Sequence, residues 1–150
     1  MKTALFVGRF QPLHRGHLYA MKHALKNYRL VILIGSTNKR DENNPFSFAL
    51  RKRMIETALA RYRNRIRITG VPDCRSDARW TKMVKKARFD VVISGSRWVK
   101  KCFEGFPLEK LKMIKRKEYN ATHIRKLMKK GKKFSHLVPK EVAEIIMKGD

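Results

Sequence analysis

Thr3-Ala4-Leu5-Phe6-Val7-Gly8-Arg9-Phe10-Gln11-Pro12-Leu13-His14-Arg15-Gly16-His17 decides the reading of this 150-residue chain. Ala4, Leu5, Phe6 and Val7 form a short continuous apolar run ended by Gly8, the pattern of a strand buried on both faces in a parallel sheet. The pattern recurs at residues 30–34 before Gly35, 66–69 before Gly70 and 91–94 before Gly95. Between these runs lie helical periods: Leu18, Met21, Ala24 and Leu25 repeat at three and four, as do Met54, Ile55, Ala58, Leu59 and Tyr62, and a third segment spans about 76–87. Strands alternating with helices of this length predict an α/β doubly wound parallel sheet, with one domain over residues 1–150. After Gly95 shorter helices are expected at about 97–103, 122–130 and 139–147, with a strand at 111–114.

Charge is the compositional outlier. Lys plus Arg is 37 against 12 Asp plus Glu, a formal charge of +25, while the apolar fraction of 43% is ordinary for a globular chain. The first 75 residues carry 16 basic and 4 acidic side chains and the second 75 carry 21 and 8, so no detachable basic tail exists and the whole surface is basic. The densest run, RKLMKKGKK at residues 125–133, suits a solvated helix face. Phosphate-bearing partners are implied, and nucleic acid is kept as a secondary one, although the aromatics form no RNP-type motif and no zinc-finger or basic-zipper spacing occurs. Cys74 and Cys102 stand 28 positions apart with no C-x-x-C, which predicts free thiols in a reducing compartment. With no signal-peptide core and no membrane-length run, a soluble cytoplasmic protein is expected.

In open α/β sheets ligands sit beyond the carboxyl ends of the strands, which puts Gly8 to His17 at the ligand. Gly8 lets backbone approach it, Pro12 stiffens the loop, and Gly16 permits close packing where a helix begins and its partial positive charge points outward. His14 and His17, three apart, put both imidazoles on one side, where they donate to phosphate oxygens. No Cys or carboxylate stands near to complete a metal set, so no protein metal site is expected. Trp80 offers either a stacking face for a flat cationic ring or a core side chain. Thr122 is read as a helix N-cap with Arg125 one turn in, either on phosphate or as a solvated charge.

GRFQPLHRGH resembles the G-x-F-x-P-x-H-x-G-H signature of the nucleotidyltransferase superfamily. In its G-R-F-Q-P-x-H-x-G-H form it is most similar to the archaeal-type nicotinamide-nucleotide adenylyltransferases. Further segments carry the likeness along the chain. Asn44-Pro45-Phe46-Ser47 with Arg51 resembles the family's N-P-F-T segment and its arginine. Residues 73–80, with Asp73 and Trp80 matching and Asp77 in place of Asn, resemble D-x-x-x-N-x-x-W. Ser94-Gly95-Ser96 resembles S-G-N, and residues 119–125 resemble Y-S-G-T-x-[IV]-R with Asn120-Ala121 in place of Ser-Gly.

The resemblance implies a Rossmann-like nucleotidyltransferase fold that moves AMP from ATP to nicotinamide mononucleotide. It implies ATP contacts from Gly8, Arg9, Phe10, His14, Gly16, His17, Gly95, Thr122 and Arg125, with His14, His17, Arg9 and Arg125 catalytic. Asp73, Asp77, Trp80 and Arg51 would hold the mononucleotide, Asp77 favouring the amide over the acid. Mg²⁺ would bridge the phosphates, and a homo-oligomer, commonly a hexamer, is implied. Rival readings are another phosphorylated acceptor, such as phosphopantetheine or glycerol phosphate, and a basic nucleic-acid-binding protein. Residues 112–116 (KMIKR) look like the K-M-S-K-S loop of class I aminoacyl-tRNA synthetases, here read as a chance likeness on a basic strand. Trp98 is left open between a subunit contact, a core residue and a site residue.

Overall fold

The computed structural model describes residues 1–149. The four apolar runs become strands β1 (Thr3–Gly8), β2 (Arg29–Ile34), β3 (Ile66–Gly70) and β4 (Val91–Ser94), all parallel, in the order β3-β2-β1-β4. Alternation along β1 explains why the run is unbroken. Ala4 and Phe6 face one core with Leu30, Ile32 and Ile34, whereas Leu5 faces the other with Val31, Leu33 and Val92, so both faces are buried.

The first core is covered by α1 (Arg15–Ala24), α2 (Phe48–Ala58), α5 (Ala121–Lys129) and α6 (Lys140–Lys148), through Met21, Met54, Ile124 and Val142. The second is covered by α3 (Asp77–Lys85) and α4 (Arg97–Cys102), through Trp80, Val84 and Val99. Helices on both faces of a parallel sheet make the doubly wound architecture. No helix among the described residues is long and apolar enough to cross a membrane, and both cysteines are free.

The C-terminal third departs from expectation. The strand is not at 111–114 but at β5 (Leu108–Lys110), parallel to β4 through the pairs Val92–Leu108 and Ser94–Lys110. All three of its residues are exposed, so no apolar pattern announces it. Residues 111–114 leave the sheet as irregular backbone. The α5 cap is likewise Asn120, whose side chain accepts from the His123 amide at 2.8 Å, and Thr122 lies inside the helix.

Candidate active site

The strand order reverses at β1, with β2 on one side and β4 on the other, and ligands bind at such a switch point because the connections on either side diverge and leave a crevice. A cleft of about 1140 Å³ lies there. Its walls are Arg9, Phe10, His14, Gly16 and His17 after β1, Ser94 at the end of β4 with Gly95 and Ser96 after it, and Arg125 from α5. Apart from Gly8, which packs against the Phe10 ring, and Thr122, every residue expected on ATP thus lines one cavity.

The two histidines cap α1 reciprocally. His14 Nδ1 accepts from the Gly16 amide at 3.0 Å and from the His17 amide at 3.3 Å, while His17 Nδ1 accepts from the His14 amide at 3.1 Å. An accepting Nδ1 puts the remaining proton on Nε2, so each ring presents an Nε2–H donor. The rings stack at 3.6 Å between centroids, and Phe10 meets the His17 ring edge-on at 4.9 Å. Burial pushes the His14 imidazole down to about 4 and holds His17 well below the usual range, with His14 adding to the latter shift. Both are therefore neutral donors at pH 7. This corrects the expectation for the helix terminus: the amides of Gly16 and His17 are spent on His14, and the donors offered to a ligand are imidazole N–H groups. Nitrogen-15 NMR of the free protein is expected to show His14 as the Nε2–H tautomer, unprotonated until the pH falls towards 4. Because the unfolded chain takes up that proton near 6.5, acidification from 6.5 towards 4 costs stability. A His14 midpoint near 6.5 would contradict this arrangement.

The glycines serve packing as well as access. A Cβ on Gly8 would lie 2.7 Å from the Phe10 ring, and one on Gly16 would lie 2.9 Å from the His14 ring and 3.1 Å from Tyr119 Cβ. Gly8 is therefore required first by Phe10, which sits at φ 54° and only 1% exposed under the histidines, rather than by a ligand. Phe10 supports His17 as much as it lines the cleft. Arg125 Nη1 donates to the Gln11 carbonyl at 2.9 Å, fixing α5 to the histidine loop, and its Nη2 lies 3.4 Å from Thr122 Oγ1. Partial burial and then Arg9 lower the Arg125 pKa. Arg9 Nη1 donates to Asn44 Oδ1 at 3.2 Å.

The other expected residues lie outside the cleft lining. Arg51 is fully buried; its Nη1 donates to the carbonyls of Arg9 and Gly35, both at 2.8 Å, and its Nε to that of Ser47 at 3.3 Å. It binds three pieces of backbone together and presents no free guanidinium edge, because carbonyls following β1 and β2 converge on it. Asp73 accepts from Ser36 Oγ at 2.7 Å and so ties the turn after β2 to the turn after β3. Trp80 is 4% exposed and packs in the second core against Trp98, at 4.4 Å between centroids, and Phe103. Asp77 Oδ1 accepts from Trp98 Nε1 at 3.0 Å. Thr122 is exposed on α5.

The cleft gathers several residues to which sequence reading gave no role. Lys110, Lys112, Met113 and Arg116 line it, so the KMIKR segment is a cleft wall and not a basic strand. Asn120 holds that wall, its Nδ2 donating to the carbonyls of Arg116 and Lys117, both at 3.0 Å, while its Oδ1 caps α5. The signal available was the basic run itself, directly before the phosphate-like segment at 119–125. The described residues contain no cluster of three His, Cys, Asp or Glu able to hold a metal ion, and Glu109, the cleft's carboxylate, accepts from Tyr28 Oη at 3.2 Å. This donor set suits a metal carried on phosphate oxygens and water.

A family model described as cytidylyltransferase-like matches residues 5–142. A nicotinamide-nucleotide adenylyltransferase of Methanococcus vannielii is 36% identical over 153 residues, covering 98% of this chain and 89% of that protein. Nicotinamide-nucleotide adenylyltransferase 1 of Sulfolobus acidocaldarius is 38% identical over 159 residues, covering 98% and 91%. Among solved structures, a bifunctional NMN adenylyltransferase/ADP ribose pyrophosphatase of Francisella tularensis, complexed with AMP and a manganese ion, superposes with a TM-score of 0.80 at 27% identity. That alignment covers 92% of this chain and 44% of the two-activity chain.

Proposed function

This chain belongs to the cytidylyltransferase-like family, and on that basis we propose that it transfers the adenylyl group of ATP to nicotinamide mononucleotide, giving NAD and pyrophosphate. The observation that carries this reading is the pair of neutral imidazoles presenting Nε2–H beside Arg9 and Arg125 at the β1/β4 switch point. A phosphate oxygen of the mononucleotide attacks the α-phosphorus in line, the bond to the oxygen bridging to the β-phosphate breaks, and pyrophosphate leaves with the electron pair. No protein nucleophile is needed; the protein's work is to align the two substrates and stabilise charge.

His17 donates to the α-phosphate, His14 and Arg9 hold the neighbouring oxygens, and Arg125 with the 110–116 wall receives the β- and γ-phosphates. Arg51 acts by holding the carbonyls of Arg9 and Gly35, and so the turns that both substrates would rest on. A divalent metal, in this proposal Mg²⁺, neutralises phosphate charge when bound. A homo-oligomeric state, a hexamer by resemblance, and a cytoplasmic location belong to the same proposal.

The test is NAD formation from ATP, Mg²⁺ and nicotinamide mononucleotide, followed through an alcohol dehydrogenase that reduces the product. NAD is expected to accumulate in step with pyrophosphate. ATP binding without NAD would assign the cleft to another phosphorylated acceptor. The same assay reads acceptor preference. Asp77 places a carboxylate where the acid mononucleotide would bring its own, and two like charges about 4 Å apart in water cost about 1 kcal/mol, or roughly fivefold. The amide is expected to react faster than the acid, with Asp77→Asn narrowing the gap. Equal rates on the two would remove Asp77 from acceptor choice.

A further inference from the structure

A second groove, of about 470 Å³, runs between α3 and α4 and shares no lining residue with the cleft. Lys82, Lys85 and Lys101 line it, with Thr81, Asp77 and Cys102. None of the three lysines has a carboxylate partner among the described residues. Between residues 75 and 101 the chain carries nine Lys or Arg against two Asp. Both carboxylates are already engaged, Asp77 by Trp98 Nε1 at 3.0 Å and Asp90 by the Thr3 amide at 2.8 Å. Asp77 is the one carboxylate that lines the groove beside the three lysines, so the groove carries a net positive charge.

Beside the groove stands Trp98, 42% exposed on a protein whose other tryptophan is buried. Its orientation is set twice, by the Trp80 ring behind it and by the Asp77 carboxylate on its N–H. A fixed aromatic face loses little conformational freedom when something stacks on it. Cationic groove and exposed aromatic together are the two parts of a single-strand site: backbone phosphates follow the charge and a base stacks on the ring. We propose that the α3–α4 face docks single-stranded nucleic acid, with Lys82, Lys85 and Lys101 on consecutive phosphates and Trp98 against a base.

The cations point to a polymer. At about 1.5 Å per residue α3 alone is about 13 Å long, and its exposed Arg79, Lys82, Lys85 and the following Lys86 spread charge over more than one phosphate spacing. A second copy of the chain, itself at +25, would be repelled from this face.

The test titrates a fluorescein-labelled 12-nucleotide uridine oligomer, read by polarisation and by tryptophan fluorescence at several salt concentrations. Binding is expected to quench tryptophan, to persist with ATP saturating, and to exceed that of a duplex of equal length. The triple variant Lys82→Gln, Lys85→Gln, Lys101→Gln should weaken it about tenfold or more and lower the salt slope by about 2, since each single-strand phosphate that a lysine neutralises contributes about 0.7. A charge-matched variant at Lys130, Lys132 and Lys133 should weaken it far less, and both variants should keep full adenylyl transfer, which shows that they are folded. Equal weakening by the two triples would mean that diffuse charge alone binds, and would overturn the site. Absence of quenching, competition by ATP, or equal affinity for duplex would overturn it as well.

Discussion

His17→Ala is expected to lower the turnover of adenylyl transfer by about 10²–10³-fold, the cost of removing one preorganised donor from a charged transition state. The size of the effect follows from how firmly the ring is held. The His14 amide fixes Nδ1, the His14 ring stacks on one face, and Phe10 meets the edge, so Nε2–H is aimed before substrate arrives and nothing else reorganises to replace it. Ground-state binding of ATP should change much less, since Arg9, His14 and Arg125 remain, and the reduction should fall on kcat rather than KM. Removing one capping hydrogen bond costs stability by only about 1 kcal/mol, so the variant should fold. His17→Asn, which keeps a short acceptor and an N–H donor, should recover part of the rate. A His17→Ala protein within fivefold of the parent would take His17 out of the chemistry.

Arg51→Ala should cost the most stability, about 3–5 kcal/mol, which for a chain of this size is a fall in Tm of roughly 10 °C. Two charged hydrogen bonds at 2.8 Å disappear, the carbonyls of Arg9 and Gly35 are left without a buried donor, and a cavity opens between α2 and the strand ends. Burial, with Arg9 and Arg40 nearby, lowers the guanidinium pKa only to about 10, so the group is charged at neutral pH and bonds to these carbonyls as a cation. Arg51→Lys should retain about half the stability because an ammonium reaches fewer of the converging carbonyls. Denaturant unfolding with an unchanged m-value measures both variants. If Arg51→Ala costs under about 1 kcal/mol and only raises KM for the mononucleotide, Arg51 is a ligand and not a clamp.

Arg51 also shows where sequence reading stops. On an amphipathic helix an arginine suggests solvent or a ligand, and nothing local reveals four carbonyls, those of Arg9, Gly35, Ser36 and Ser47, converging on it. Asn120 and Thr122 are both residues of cap type two positions apart, and only the hydrogen bonds to His123 and to the loop before it choose between them. β5 exists because three exposed residues pair with β4, a fact of neighbours rather than of pattern. Trp80 could have been core or site by composition; the structure puts nearly all of it in the core, with its partner Trp98 exposed.

Whatever depends on nearby residues was already written in the chain. Continuous apolar runs closed by glycine require strands buried on both faces, helical periods between them require crossovers, and the loop from Gly8 to His17 puts two imidazoles at a helix start. The order β3-β2-β1-β4-β5, and with it which strand ends face the cleft, came only from the folded molecule. So did the burial of one arginine, the exposure of one tryptophan, and the sharing of a groove by lysines from two helices. Those properties belong to pairs of residues far apart in the chain, such as Arg51 with Arg9 or Lys82 with Lys101, and burial and pairing energies are set by such neighbours rather than by local propensity.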